Sequence, residues 1–439
     1  MKRLALILMI AVAAFGAWLG WYAMTYRTLP PIARFLPPVA DNLPSVPLTP
    51  TELPGSQGER DGADVQGIDL TLLEKPLAVP PQYAVGALAQ PRTVKVPASA
   101  DIGVFAAGLS KARFMAVSPD WWPAGGGVLY LTESDPGRVL ALPDRNGDGV
   151  ADEVIQVWGS ADYPHGIAFH DGSLWIATTR SVVRLADQDG DFVAERSQMV
   201  VNNLPAGGNH VSRTITFDDQ GRLLVSVGSS CNVCEDDSRR AAVLRFNPDG
   251  TGETLFAAGS RNAVGILWRD GQLWGTENGR DRLGDDLPPE EVNILREGRH
   301  YGWPYCYADG LADYTFRGTT AGGEGIGQFC PRTERPIVKI QGHTAPLGLR
   351  FLDDQKIPEP IRGDLLVALH GSWNRTVPVG HEIIRVAGLP DRPVVSTFVD
   401  FLAKGARGFG RPVDVIVGGD GAIYISDDAA GAVYRLKFQ

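Results

Sequence analysis

The sequence predicts an all-β chain folded as a six-bladed β-propeller, preceded by an N-terminal transmembrane or signal helix and a Pro-rich linker. Three observations predict it. A unit of short β runs separated by Gly or polar turns recurs six times after about residue 98. Gly (52) and Pro (32) are plentiful enough to supply a turn between each pair of runs. Hydrophobic residues are 44% and charged residues 21% of the 439, so a core can form and global disorder is excluded. The net charge, 41 − 51 = −10, argues against a nucleic-acid groove, which needs clustered Lys and Arg.

Three segments follow from this reading: 1–27, 28–95 and 96–439. In the first, Lys2 and Arg3 precede Leu4–Met24, 21 residues without a charge. That length can span a bilayer, and the two cations place the rest of the chain outside the cytoplasm. Trp18, Trp21, Tyr22 and Tyr26 suit the outer interface. The alternative is a cleaved signal, with small residues at Ala11, Ala13, Ala14 and Gly16. The expected location is extracytoplasmic, anchored to the cytoplasmic membrane, or secreted if the segment is cleaved. Residues 28–95 are Pro-rich and lack sustained periodicity, which reads as a linker with a strand or two docking on the main domain.

The repeats occupy 126–142, 172–185, 221–250, 271–279, 363–386 and 421–436. Each alternates apolar β-formers with polar residues, and each follows another β run: RFMAVSP, HGIAFHDG, SRTITFDDQG, NAVGILWRDG, LGLRFLDD and VDVIVGGDG. Six units in roughly 340 residues give roughly 57 each, slightly above a four-stranded blade. A pair of β-sandwiches would not produce so regular a recurrence.

The innermost strand of each blade lines the central channel, so the residues that open these strands converge on one face. They are Arg113, His165, Asn209–His210, Arg261–Asn262, His343 and Arg411. The loops after the second strands reach the same face with Glu133, Arg180, Ser229–Ser230, Glu277–Asn278–Gly279, the segment from His370 to Arg375, and Asp427. The set reads as a cation-lined pocket for an anionic ligand. Any one member taken alone is equally at home as a surface turn or a satisfied core group.

These residues carry a resemblance. Gly208–Asn209–His210 followed by RTITFDDQGRLLVSVG, the Arg261–Asn262 pair with Gly265, and GRHYGWPYCY at 298–307 are similar to the glucose/sorbosone dehydrogenase family. These are quinoprotein β-propellers that bind pyrroloquinoline quinone (PQQ). The resemblance covers about 98–439, and the HGSWNR segment and paired Cys look closer to the sorbosone and pyranose dehydrogenase branch. It implies PQQ-dependent oxidation of an aldose or sugar aldehyde by hydride transfer to the quinone. His210 is implied as the general base, and Arg261 as the residue facing the quinone oxygens. The implied cofactor contacts are Asn209, Arg261, Asn262, His165, His343, Arg375 and Arg411. The carbonyls of the Asn278–Gly279–Arg280 turn are implied as calcium (Ca2+) ligands, with Gly279 and Arg280 as the metal residues.

The chain also departs from the soluble glucose dehydrogenases. Asn209 stands where they have Asp beside the histidine. Arg411-Pro412-Val413 replaces Arg-Tyr-Arg, and Ala161 or Asp162, crowded by Tyr163 and His165, replaces a glutamine. Their lysine falls within 370–375, where Arg375 is taken as the replacement. These changes bear on glucose as substrate more than on PQQ, and a propeller that has lost the cofactor stays open.

Asp144, Asn146, Asp148 and Asp152 resemble the first half of a calcium loop, and Asp187, Asp189, Asp191 and Glu195 a looser copy. Both read better as Asp/Gly hairpin turns, because no helix frames either. Glu290 and Glu291 with the Tyr301 backbone match a structural calcium region of the soluble dehydrogenases. Cys231–Cys234 and Cys306–Cys330 is one of three pairings available to four Cys outside the cytoplasm; zinc is disfavoured because no second CxxC exists. Asn374-Arg-Thr376 has sequon spacing and reads as a chance match, and no nucleotide-binding Gly loop is found. The expected partners are a sugar or aldehyde, the membrane through the N-terminal helix, and a quinone or cytochrome acceptor. Two other classes stay open: a calcium-dependent lactonase-type hydrolase and a non-catalytic binding propeller.

Overall fold

A computed structural model describes residues 68–316, 318–402 and 409–439. The expected anchor, and the linker up to residue 67, lie outside the described residues. Among the described residues no helix is long and apolar enough to cross a membrane.

Six antiparallel sheets carry the six sequence units. From the inside outward, blade 1 is Ala112–Val117, Leu129–Glu133, Arg138–Leu142 and Ile155–Trp158. Blade 2 is Ile167–His170, Ser173–Ala177, Val182–Ala186 and Arg196–Val201. Blade 3 is Ile215–Phe217, Leu223–Val227, Ala242–Phe246 and Thr254–Ala258, with Arg299–His300 added in parallel at its edge. Blade 4 is Ile266–Arg269, Gln272–Glu277, Glu290–Leu295 and Val338–Ile340. Blade 5 is Pro346–Phe351, Leu365–Leu369, Glu382–Ala387 and Val394–Asp400. Blade 6 is Pro412–Val417, Ile423–Asp427, Ala432–Phe438 and, outermost, Ala100–Ala107.

Each innermost strand packs on the next, and that of blade 6 packs on that of blade 1, so the ring is closed. Closure is made by the last blade, where Ala100–Ala107 pairs antiparallel with Ala432–Phe438 from Ala107↔Ala432 to Ala100↔Phe438. The alternating residues bury one face of each blade against its neighbour. Phe114, Trp122, Tyr130, Val139, Ile176, Val183 and Leu185 form such a layer between blades 1 and 2. Within it the Trp122 indole N–H donates to Tyr130 Oη at 2.7 Å, so this buried aromatic layer leaves no orphaned polar tip there.

The segment before the propeller docks on it. Leu72–Pro76 pairs with Thr93–Pro97, which adds to the outer strand of blade 5 through Lys95↔Asp400. Leu77, Val94 and Val96 are buried with Phe398, Phe401 and Tyr434. The insertion after YGWP holds a small hairpin and the helix Ile326–Phe329, stapled by the Cys306–Cys330 disulfide. The second disulfide is Cys231–Cys234, which settles the choice among the three pairings open to four Cys.

One half-buried carboxyl on blade 5 gives a pH prediction. Burial pushes Glu382 from its ordinary 4.5 up to about 7, against the Thr397 hydroxyl that donates to it at 2.8 Å. A raised carboxyl stabilises the fold fully below about 4.5 and loses that contribution as pH rises through about 7. Glu382→Gln, which cannot ionise, is expected to reduce the fall in stability over this range by on the order of 1 kcal/mol. Melting curves of both proteins at several pH values check it; parallel pH profiles would refute the assignment.

Candidate functional site

All six innermost strands start on one face, and the polar residues that open them meet there. The structure builds these groups into two clusters. In the first, Arg113 donates to Asp428 Oδ2 at 2.9 Å and to His165 Nε2 at 3.1 Å. Asp428 Oδ1 accepts from His370 Nε2 at 2.8 Å, and His370 Nδ1 accepts from Arg411 Nη2 at 3.1 Å. Because arginine only donates, these bonds fix both tautomers: His165 presents Nε2 and His370 presents Nδ1 as the acceptor. Burial lowers the pKa of both imidazoles, His370 to about 4, so both are neutral at ordinary pH. Asp428, despite burial, is held well below the usual carboxylate range by the His370 bond and by Arg113 and Lys111. Lys111, Arg113 and Arg411 thus outnumber Asp428, and the cluster keeps an excess of positive charge.

The second cluster surrounds His210. Its Nδ1 lies 2.9 Å from the Ser229 carbonyl oxygen and 3.0 Å from Ser229 Oγ. A carbonyl only accepts, so Nδ1 carries the proton and the Nε2 lone pair is open. Burial, then Arg261, pushes the ring down to about 3, so the base is neutral over the whole ordinary pH range. Gly228 is required here: a Cβ on it would lie 2.5 Å from Asn262 Oδ1 and 2.6 Å from His210 Cβ. Arg261 is pinned by five acceptors. These are the carbonyls of Asn278 (3.1 Å), Gly279 (2.9 Å) and Asn232 (3.1 Å), Asn232 Oδ1 (3.1 Å) and Asp281 Oδ2 (3.3 Å). Behind it, Glu277 accepts from Ser260 Oγ and from the Asn262 amide, and Glu290 from the Gly279 amide at 2.6 Å.

The clusters join into a ring of polar contacts around the channel mouth. His165 Nδ1 lies 3.3 Å from Thr214 Oγ1, and the neighbouring Arg213 donates to the His210 carbonyl at 2.9 Å. On the other side Asp281 accepts from Asn374 Nδ2 at 2.8 Å, on the loop that also carries His370.

Some expected residues are placed differently. His165 is fully buried with both ring nitrogens engaged, so it supports Arg113 from below. His343 Nε2 lies 2.8 Å from the Gly284 carbonyl oxygen, and Arg375 is spent on the Asp285 and Gly342 carbonyls and Asp286; these two brace the 284–286 loop. His370 rather than Arg375 brings the 370–375 loop into the cation cluster. Asn209 is exposed at the rim, and Asn262 is nearly buried against Gly228. The expected metal oxygens of Asn278 and Gly279 both accept from Arg261 Nη1, and Arg280 pairs with Asp313 at 2.5 Å. A calcium ion there would compete with a guanidinium for the same carbonyls. The Asp144 carboxylate accepts from the Gly147, Asp148 and Gly149 amides, and Asp187 from Gly190 and Phe192. These are turn contacts.

Asp428, Asp281 and Asn232 escape the sequence pattern. Asp428 follows Asp427, which instead caps the turn by accepting from the Arg411, Ala429 and Ala430 amides. Asn232 sits between the paired Cys231 and Cys234 and holds both Arg261 and the Asp281 amide (2.8 Å). Opening this disulfide is expected to release Asn232 and loosen Arg261, as Asn232→Ala would do directly. Under the function proposed below, mild reduction or Cys231→Ser/Cys234→Ser should lower turnover roughly tenfold or more. Full turnover in the double variant would show that the loop does not position Arg261.

The fold and the channel mouth define a six-bladed propeller with a cation-rich polar mouth. The chain belongs to the TrAA12-like family, which it matches over residues 94–439. An uncharacterized protein of Borreliella burgdorferi is 32% identical over 238 residues, 52% of this chain and 61% of that protein. The pyrroloquinoline quinone-dependent pyranose dehydrogenase of Coprinopsis cinerea is 25% identical over 377 residues, 71% of this chain and 51% of that protein. The chain thus spans about half to three-fifths of the length of these relatives. Among solved structures, the holo PQQ domain of that pyranose dehydrogenase superposes with a TM-score of 0.69 at 20% identity, covering 82% of this chain and 100% of that one. A calcium structure of the Trichoderma reesei carbohydrate-active enzyme family AA12 gives 0.66 at 21%, covering 78% and 96%. At these identities the superpositions establish the six-bladed fold.

Proposed function

We propose that this protein is a PQQ-dependent dehydrogenase that oxidises an aldose or a sugar aldehyde, with His210 as general base. The observation that carries the reading is the open Nε2 of His210, fixed by Ser229 and facing a mouth with an excess of guanidinium charge. PQQ, when bound, supplies the hydride acceptor. The residues present fit such a polyanion: Arg113 Nε is buried without a partner, and Lys111, Arg113 and Arg411 exceed the charge of Asp428. Arg411 and Arg113 would hold carboxylates, for which the guanidinium fork is shaped. His210 Nε2 takes the hydroxyl proton of the sugar, and Arg261 stabilises negative charge opposite it. Calcium at the Asn278 and Gly279 carbonyls would require Arg261 to move, and no step here depends on it.

The hydrolase reading is weaker because, among the described residues, Asp281 and Asp428 at the mouth are each paired with a guanidinium, as is Glu133, while Glu277 and Asp427 are engaged by Ser260 and backbone amides. We further infer an extracytoplasmic location, supported by the two disulfides, with the N-terminal segment as membrane tether and a quinone or cytochrome as acceptor. The test is a PQQ titration of the purified chain with and without calcium, then dye reduction with a panel of aldoses, sorbosone and glucosone-like sugars, and a lactone-hydrolysis arm. Saturable PQQ binding with sugar-dependent dye reduction is expected. No binding at micromolar PQQ, or lactone hydrolysis without it, would overturn the proposal.

A further inference from the structure

We propose that the half of the central channel away from His210 is a binding site for a small organic hydroxy-carboxylate, anchored by Arg350. A cavity of about 460 Å3 fills this half, within the size range of small-molecule sites. Its walls come from the far ends of the six innermost strands, and none of His165, His210, Arg261 or Arg411 lines it. Phe114, Ile167 and Phe169 give it apolar sides, and Trp121, 49% exposed, stands against the edge of Phe169.

Arg350 lines this cavity from the blade 5 strand. Its Nε is buried without a hydrogen-bond partner. Among the described residues no carboxylate lies within ion-pair distance of its guanidinium; Asp414, the carboxylate that shares the cavity, spends Oδ2 on the Met115 amide at 2.9 Å. Arg350 is half-buried; Asp414 and Asp353 attract it from beyond ion-pair distance and leave its buried Nε without an acceptor, and a buried polar atom without a partner calls for one. The planar fork of arginine suits a carboxylate. The apolar walls favour an organic anion, since an inorganic oxyanion would leave them uncovered. Asp414 repels a second negative charge beside the first and offers an acceptor to a ligand hydroxyl, which selects a monocarboxylate bearing hydroxyl groups. The inference does not depend on the reading of the channel mouth.

The experiment titrates the purified full chain with gluconate, acetate and sodium sulfate, reading Trp fluorescence and the melting midpoint. Gluconate is expected to give a saturable response in both, acetate a weaker one and sulfate none beyond ionic strength. Arg350→Gln should weaken gluconate at least tenfold, and Arg350→Lys, which keeps the charge without the fork, should weaken it too. Trp121→Phe should remove the fluorescence change but keep the thermal shift, and Arg411→Gln, at the opposite mouth, should change neither. A wild-type chain with no saturable response overturns the site, as does an unchanged response in either Arg350 variant. Equal responses to sulfate and gluconate overturn the organic assignment. If Arg350→Gln fails to fold, the Lys variant and the wild-type titration still decide.

Discussion

His210→Ala is expected to lower sugar-dependent dye reduction by roughly 10²–10⁴-fold while leaving PQQ binding within a few fold. The reason lies in the direction of the imidazole. Ser229 holds the Nδ1 proton through its carbonyl, so only Nε2 can accept a proton from substrate. The ring is also pushed down to about 3, so no loss of rate from its protonation is expected as pH falls through the ordinary histidine range. His210→Gln keeps a polar side chain without a comparable base and should be as slow as the Ala variant. A rate–pH profile with a limb near 6.5, or His210→Ala at near wild-type turnover, would remove His210 from this role.

Arg261→Gln is expected to cost roughly 10²–10³-fold in turnover. Arg261 is the residue that ties the Cys231–Cys234 loop, the 278–281 turn and the base pocket together. Its loss leaves the Asn278 and Gly279 carbonyls and the Asp281 carboxylate short of a donor, and Glu277 and Glu290 short of a counter-charge. Arg261→Lys should not rescue, because one ammonium cannot reach five acceptors that a planar fork spans. Added calcium sharpens the test. If the freed carbonyls are hard-cation ligands, the Gln variant should bind calcium more tightly than the wild type. Wild-type turnover in Arg261→Gln would refute the electrostatic role; equal calcium affinity in the two proteins would refute the competition between the cations.

The blades were legible because their signal is local. The short runs of apolar β-formers LLVSV, LLVAL and VDVIV, bounded by Gly turns, place each strand within a residue or two. The convergence of Arg113, His210, Arg261 and Arg411 was legible too, because position within a blade dictates which face a residue reaches. What escaped depends on the third dimension. Nothing in CNVC says that the Asn would fold back onto Arg261, and nothing in SDDAAG says which Asp faces the cations; the end of the strand at Asp427 decides it. Arg375 over His370 was the wrong member of its loop for the cation cluster because the loop's 285–286 partners are distant in sequence. Arg350 was invisible for the opposite reason. Its strand reads as core, and only the width of the assembled channel shows that the guanidinium has room beyond it.

The seam in blade 6 has a consequence for synthesis. The first strand of the ring, Ala100–Ala107, finds its partner only when Ala432–Phe438 has been made. Until then the nascent propeller is an open arc with an unpaired edge on one side. The ring therefore cannot lock while its final strand is missing. The same seam marks where the chain tolerates being re-spliced: ends moved to an exposed turn of another blade would keep every ladder, whereas trimming the present C-terminal strand would unfasten the first.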